Sequence, residues 1–195
     1  MFNDTVDLRQ PSTYSQIEDE TRSLNFSMAS DLQTGSFLRT LAATKAKAKL
    51  LELGTGTGLS TAWILEGMDA ESTLVSIDNE ADFQRVAEKH LGHDSRLSLI
   101  CGDGKKYVKT FERDQHKFDF IFADAWPGKY DVLQETLSLL NKGGIYVIDD
   151  MLPQPNWPNE HQENADQLVA YLESRNDLTV TKFNWSTGIL LAVKK

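Results

Sequence analysis

From Lys49 onward the chain alternates short apolar runs with stretches of helical periodicity. Leu50, Leu51 and Leu53 end at Gly54; Leu74, Val75 and Ile77 end at Asp78; Leu97, Leu99 and Ile100 end near Gly102. Phe118, Phe120, Ile121 and Phe122 lead to Asp124, and Ile145 to Ile148 lead to Asp149. Short runs that are apolar on both faces predict buried parallel strands. Between them Phe83, Val86, Ala87, His90 and Leu91 recur at helical spacing, as do Leu133, Leu137 and Leu140, and later Ala165, Leu168, Val169 and Leu172. Such alternation needs right-handed crossovers and predicts a doubly wound α/β sheet. The end of the chain differs. Leu178 to Phe183 and Ile189 to Val193 are separated only by Asn184-Trp185-Ser186-Thr187-Gly188, too short for a crossover helix, so they predict an antiparallel hairpin. The sum is a seven-stranded sheet with one reversed strand. Residues 1–48 read as helical, with Asp31 the N-cap of a helix carrying Leu38, Leu41 and Ala42; they are expected to cap one edge of the sheet. No repeat or linker divides the chain, so one domain is expected, a helical cap over 1–48 and a core over 49–195.

Composition narrows the function classes. A chain of 195 residues suits one core, and 40% hydrophobic with 25% charged residues excludes global disorder. Lys and Arg number 20 against 29 Asp and Glu, and the resulting net charge of −9 argues against a partner that is nucleic acid. The single cysteine, Cys101, excludes an intramolecular disulfide and a Cys-based zinc cluster, and it is expected in the core. Met1 to Gln10 lacks the basic and apolar regions of a secretion signal, and no apolar run approaches the roughly 18–20 residues of a membrane span. A cytoplasmic protein with no membrane partner is the expectation.

Ligands of doubly wound sheets sit beyond the carboxyl ends of the strands. After the first strand comes Glu52-Leu53-Gly54-Thr55-Gly56-Thr57-Gly58-Leu59-Ser60, whose glycines let the backbone turn sharply and approach a ligand. The spacing is Gly-x-Gly-x-Gly; the dinucleotide fingerprint Gly-x-Gly-x-x-Gly would need glycine at Leu59. The second strand ends in Asp78, a carboxylate placed to accept both hydroxyls of a ribose, and the third is followed by Gly102-Asp103-Gly104. Either aspartate could instead be a helix N-cap.

On these residues the chain resembles the Rossmann-like class I S-adenosylmethionine-dependent methyltransferases, from about Met28 to the C-terminal hairpin. The resemblance implies that Glu52 to Ser60 hold the methionine part of the cofactor, Asp78 the ribose, and Asp103 the region of the adenine. The implied cofactor-binding set is Met28, Ser30, Glu52, Gly54, Thr55, Gly56, Gly58, Ser60, Asp78, Asn79, Gly102, Asp103, Gly104 and Asp124.

The fourth strand runs into Asp124-Ala125-Trp126-Pro127-Gly128-Lys129-Tyr130 and the fifth into Asp149-Asp150-Met151. If those strands are neighbours, three carboxylates share one rim, where mutual repulsion raises their pKa values unless a cation or proton intervenes. An all-oxygen site of that kind suits Mg²⁺, Mn²⁺ or Ca²⁺ rather than zinc; helix capping or bonding to the cofactor amine are the plainer uses. The pattern is similar to the catechol and caffeoyl-CoA O-methyltransferases, which implies a divalent metal at Asp124, Asp149 and Asp150. Met28-Ala29-Ser30 with Gly35 resembles that family's segment folding over the cofactor, and Trp126 and Tyr130 match its tryptophan and tyrosine. Two positions depart. Asp150 stands where the family has asparagine, and Pro127 where it has a catalytic lysine, with Lys129 two positions on.

The expected activity is transfer of a methyl group from S-adenosylmethionine to an oxygen of a small molecule, with Asp124 and Lys129 as catalytic residues. The alternatives are a metal-independent N- or O-methyltransferase for another acceptor and an inactive cofactor-binding module. A homodimer is compatible with the sequence, which does not fix the oligomeric state. Trp157, in the proline-containing stretch from Met151 to His161, is either a stacking surface for a planar substrate or a surface loop's own anchor.

Overall fold

The computed structural model describes residues 8–154, 157 and 161–195. Most of the Met1 to Gln10 segment, together with Pro155 and Pro158 of the stretch before His161, therefore lies outside the described residues. The chain forms two compact units, Met1–Asp103 and Gly104–Lys195.

In the first unit β1 (Lys49–Leu53), β2 (Thr73–Asp78) and β3 (Leu97–Cys101) run parallel in the order β3-β2-β1. β1 is buried from Leu50 to Leu53, whereas β3, at the end of the order, is half-exposed. Cys101 is exposed at the end of β3, not in the core as expected, because only one side of that strand is paired. α3 (Leu59–Gly67) follows β1, and α4 (Ala81–Leu91) follows β2. Every residue of α3 from Leu59 to Leu65 is buried, including Ser60 and Thr61, whose hydroxyls donate to Glu52. The cap supplies the outer cover. α1 (Tyr14–Ser23) packs on α4, and α2 (Leu32–Ala43) packs on α3, so the cap lies on the helix layer where the sequence placed it over a sheet edge. Glu20 ties α1 to α4 by accepting from Lys89 Nζ at 2.5 Å and pairing with His90 Nε2 at 2.8 Å. Asp31 caps α2 as expected, accepting from the Thr34 amide at 2.8 Å.

Trp63 fixes the α2–α3 contact. It is buried, meets Tyr14 edge-on at 5.9 Å, and lies under the Arg39 guanidinium at 4.9 Å. A Cβ on Gly35 would stand 2.3 Å from the Trp63 ring. Gly35→Ala should therefore cost about 1–3 kcal/mol by overpacking, a loss of roughly 2–12 °C in Tm. Thermal melting of the variant checks this, and an unchanged Tm would mean that the ring has room to move.

In the second unit β4 (Phe118–Ala123), β5 (Leu140–Ile148), β7 (Ile189–Lys194) and β6 (Leu178–Phe183) stand in the order β4-β5-β7-β6. β4 and β5 are parallel; β7 runs antiparallel to both β5 and β6, which is the expected hairpin. α5 (Gly104–Arg113), α6 (Trp126–Lys129), α7 (Leu133–Ser138) and α8 (His161–Ser174) complete it. Leu140 departs from its expected place on a helix. It opens β5 and pairs with Phe118, because α7 stops at Ser138. Ala123 pairs with Ile148, so Asp124 and Asp149 leave adjacent strands at the same level. The α/β class, the seven strands and the reversed C-terminal strand are as the sequence predicts. No described helix is long and apolar enough to cross a membrane.

Candidate active site

The glycine loop between β1 and α3 is held by a lattice of side chains in the first unit. Gly56 and Gly58 take φ values of +51° and +96°, the left-handed region that favours glycine. A Cβ on Gly58 would also stand 2.8 Å from Ala87 of α4, so glycine there sets how closely the loop sits on the helix. Asp78, at the end of β2, grips the loop. Its Oδ2 accepts from the Gly56 amide at 2.7 Å and its Oδ1 from the Glu80 amide at 2.8 Å. Each carboxylate oxygen retains acceptor capacity for a ligand hydroxyl.

Beneath the loop Glu52 is fully buried, and both its oxygens are spent inside the fold. Oε1 accepts from Ser60 at 2.6 Å, and Oε2 from both Thr61 and Ser76 at 2.5 Å. Burial pushes its carboxyl up to about 7; the three hydroxyls oppose the shift, and Asp78 adds to it. Thr55 bonds Ser76 at 2.6 Å and accepts from Gln84 at 3.2 Å. Glu52, Thr55 and Ser60 therefore underpin the loop directly.

Of the remaining residues of the expected cofactor set, several are more exposed. Met28 is 63% exposed and Ser30 half-buried, on the irregular segment between α1 and α2. Asn79 and Asp103 are exposed, Gly102 donates its amide to the Asp78 carbonyl at 2.7 Å, and Gly104 opens α5. Phe26, which the sequence reading missed, packs against the loop. A Cβ on Gly56 would lie 3.1 Å from its ring, and the ring meets Phe83 at 4.5 Å. Its signal was an aromatic two residues before Met28, in a segment with no periodicity to explain it.

In the second unit Asp124 follows β4 and makes an ion pair with Lys129, Nζ to Oδ1 at 3.2 Å. Lys129 is 6% exposed. It turns inward because α6 is not a regular helix: Pro127 has ψ 128° and Gly128 φ +91°, and the Tyr146 hydroxyl donates to the Gly128 carbonyl. Asp149 is buried, with Oδ1 accepting from the Asp150 amide at 2.8 Å and from Thr187 at 2.5 Å. Thr187, on the β6–β7 turn, is a second residue the sequence reading missed. Burial pushes the Asp124 carboxyl well above its ordinary range; Lys129 opposes this, while Asp149 and Asp150 add to it. Burial also raises Asp149, with Asp150 reinforcing. Burial pulls Lys129 down, but Asp124, Asp150 and Asp149 outweigh it, so the ammonium keeps its proton. The three aspartates thus feel one another, yet among the described residues no group of three acidic, histidine or cysteine side chains is arranged to hold a metal.

An aromatic wall belongs to the same unit. Trp126, 51% exposed, meets Tyr130 at 4.9 Å and His161 at 5.8 Å. Tyr130 Oη bonds His161 Nε2 at 3.2 Å, and the Trp157 ring lies 4.1 Å from His161.

The O-methyltransferase family model matches residues 7–193. A Dictyostelium discoideum protein named "Probable caffeoyl-CoA O-methyltransferase 1" is 27% identical over 180 residues, covering 86% of this chain and 78% of that protein. The "Putative O-methyltransferase" of Mycobacterium ulcerans is 33% identical over 119 residues, 58% of this chain. The chain spans about half the length of that relative, 52%. Among solved structures, O-methyltransferase TomG from Streptomyces achromogenes, in complex with S-adenosylmethionine, gives a TM-score of 0.83 at 23% identity, covering 97% of this chain and 92% of TomG. The Bacillus cereus O-methyltransferase in complex with S-adenosylhomocysteine gives 0.85 at 20%, covering 97% and 94%. The likeness in fold runs through both the glycine-loop unit and the carboxylate unit, and with the family match over nearly the whole sequence it leads to one conclusion: this chain belongs to the O-methyltransferase family.

Proposed function

We propose that the protein transfers the methyl group of S-adenosylmethionine to a hydroxyl oxygen of a small planar molecule. The observation that carries this is the glycine loop clasped by Asp78, whose carboxylate is aligned by two backbone amides and keeps acceptor capacity for ribose hydroxyls. S-adenosylmethionine, when bound, supplies a methyl carbon made electrophilic by its sulfonium. The side chains must then orient the acceptor and take its proton. Asp124 is suited to that: burial holds its pKa up, where a carboxylate can act as a general base near neutrality. Lys129 fixes Asp124 Oδ1. Trp126, Tyr130 and Trp157 offer ring faces for a planar acceptor. The net charge of −9 supports a small-molecule acceptor over a nucleic acid, and the lone free cysteine supports a reducing, cytoplasmic setting.

A divalent metal at Asp124, Asp149 and Asp150 does not fit these residues as they are arranged. Asp124 Oδ1 is paired with the Lys129 ammonium, and Asp149 Oδ1 accepts from Thr187 and the Asp150 amide, so an ion would have to displace these partners. No step of the proposed reaction therefore passes through a metal.

Ligand-induced melting tests the cofactor. S-adenosylhomocysteine at about 100 times its Kd should raise Tm by roughly 5–10 °C for a domain of this size, and NAD should not. Stabilisation by NAD alone would overturn the reading.

A further inference from the structure

We infer that the Lys129 ammonium is the built-in cation of the strand-end carboxylates, and that Asp124, Asp149 and Asp150 accordingly hold no divalent ion. The inference rests on the charge balance of these side chains, and it deepens the methyl-transfer reading by making the protein independent of metal.

Position is the first support. Lys129 is no surface lysine folded back by chance: its side chain is 7% exposed and that of its partner Asp124 11%. A buried ammonium is costly unless opposite charge faces it, and the Asp124 carboxylate does so at 3.2 Å, from the end of the strand beside the one that leads to Asp149 and Asp150.

The loop that carries it is the second. Gly128 at φ +91° reverses the chain just before Lys129, and a side chain there would meet the conformational cost of the left-handed region. The Gly128 amide donates to the Asp131 carbonyl at 2.8 Å, and the Tyr130 and Asp131 amides both reach the Trp126 carbonyl at 3.0 Å. The buried Tyr146 hydroxyl holds the Gly128 carbonyl from β5. This backbone lets a lysine five residues after Asp124 return to it.

The third is what an ion would have to displace. To reach Asp124 Oδ1 it must remove the ammonium, and to reach Asp149 Oδ1 it must break the 2.5 Å bond from Thr187. A second cation beside the Lys129 ammonium would also be repelled by it.

The test uses chelator-treated full-length protein with Mn²⁺, Mg²⁺ or Ca²⁺ alone as probe, read by melting and by the paramagnetic signal of free Mn²⁺. The wild type should show the same Tm with chelator or ion and leave Mn²⁺ free. Lys129→Met removes the cation and leaves the carboxylates, so it should melt lower and be rescued by Mn²⁺, by roughly 5–10 °C at about 100 times Kd. Adding Asp124→Asn should abolish the rescue. Lys129→Arg, which keeps a cation, should stay insensitive to ions. Saturable Mn²⁺ binding to the wild type that Asp124→Asn removes would overturn the inference. So would a folded Lys129→Met protein that gains nothing from Mn²⁺. If that variant does not fold, the wild-type titration and Lys129→Arg still decide. None of these readouts involves methyl transfer, so their failure would leave the O-methyltransferase reading standing.

Discussion

Glu52→Ala should destabilise the protein by about 3–5 kcal/mol, a large part of the roughly 5–15 kcal/mol that holds a typical domain folded. The substitution would leave a cavity beneath the glycine loop and take the common acceptor from Ser60, Thr61 and Ser76. Glu52→Gln separates shape from charge. The folded-state pKa of Glu52 is raised from 4.5 to about 7, so between those values the folded state binds more protons than the unfolded one. Stability from this group is full below pH 4.5 and is lost as pH rises through about 7. Its size is on the order of 3 kcal/mol, since each tenfold change in proton affinity is worth about 1.4 kcal/mol. Denaturant melts across this range should show wild-type stability falling relative to Glu52→Gln as pH rises. Parallel curves would mean that Glu52 is ionised throughout.

Asp78→Ala should weaken binding of S-adenosylhomocysteine by about 1–3 kcal/mol, roughly 5- to 150-fold, through loss of charge-assisted bonds to the ribose. From sequence alone a strand-end residue on the rim would be expected to leave stability untouched. The structure changes that expectation, because Asp78 also accepts from the Gly56 and Glu80 amides. A modest loss of stability, on the order of 1 kcal/mol, should accompany the loss of affinity. Calorimetric titration beside a melt measures both, and unaltered affinity would return Asp78 to the role of a loop and helix cap.

Strand positions were legible because buried parallel strands need unbroken apolar runs, and the hairpin because five residues cannot span a crossover. The Asp31 cap and the glycine loop were legible for similar reasons: each is a local backbone requirement that few residue types meet. Leu140 was not, since its spacing from Leu133 and Leu137 fits a helix, and only pairing with Phe118 places it in β5. Cys101 was misplaced because strand order, which decides which strand is the edge, is not written in local pattern. The inward turn of Lys129 depends on one positive φ at Gly128 and on Tyr146 from another strand. Phe26 and Thr187 were missed for the same reason: each acts on a residue distant in sequence, Gly56 in one case and Asp149 in the other.

The most direct test of the central claim follows the methyl group itself. The protein would be incubated with S-adenosylmethionine labelled with ¹³C at the methyl carbon and a panel of catechols and other planar hydroxylated acceptors, and the products read by mass spectrometry and NMR. The account predicts labelled methyl on an acceptor oxygen, with S-adenosylhomocysteine formed in equal amount. Label on nitrogen, or an intact cofactor with every acceptor despite demonstrated binding, would contradict it.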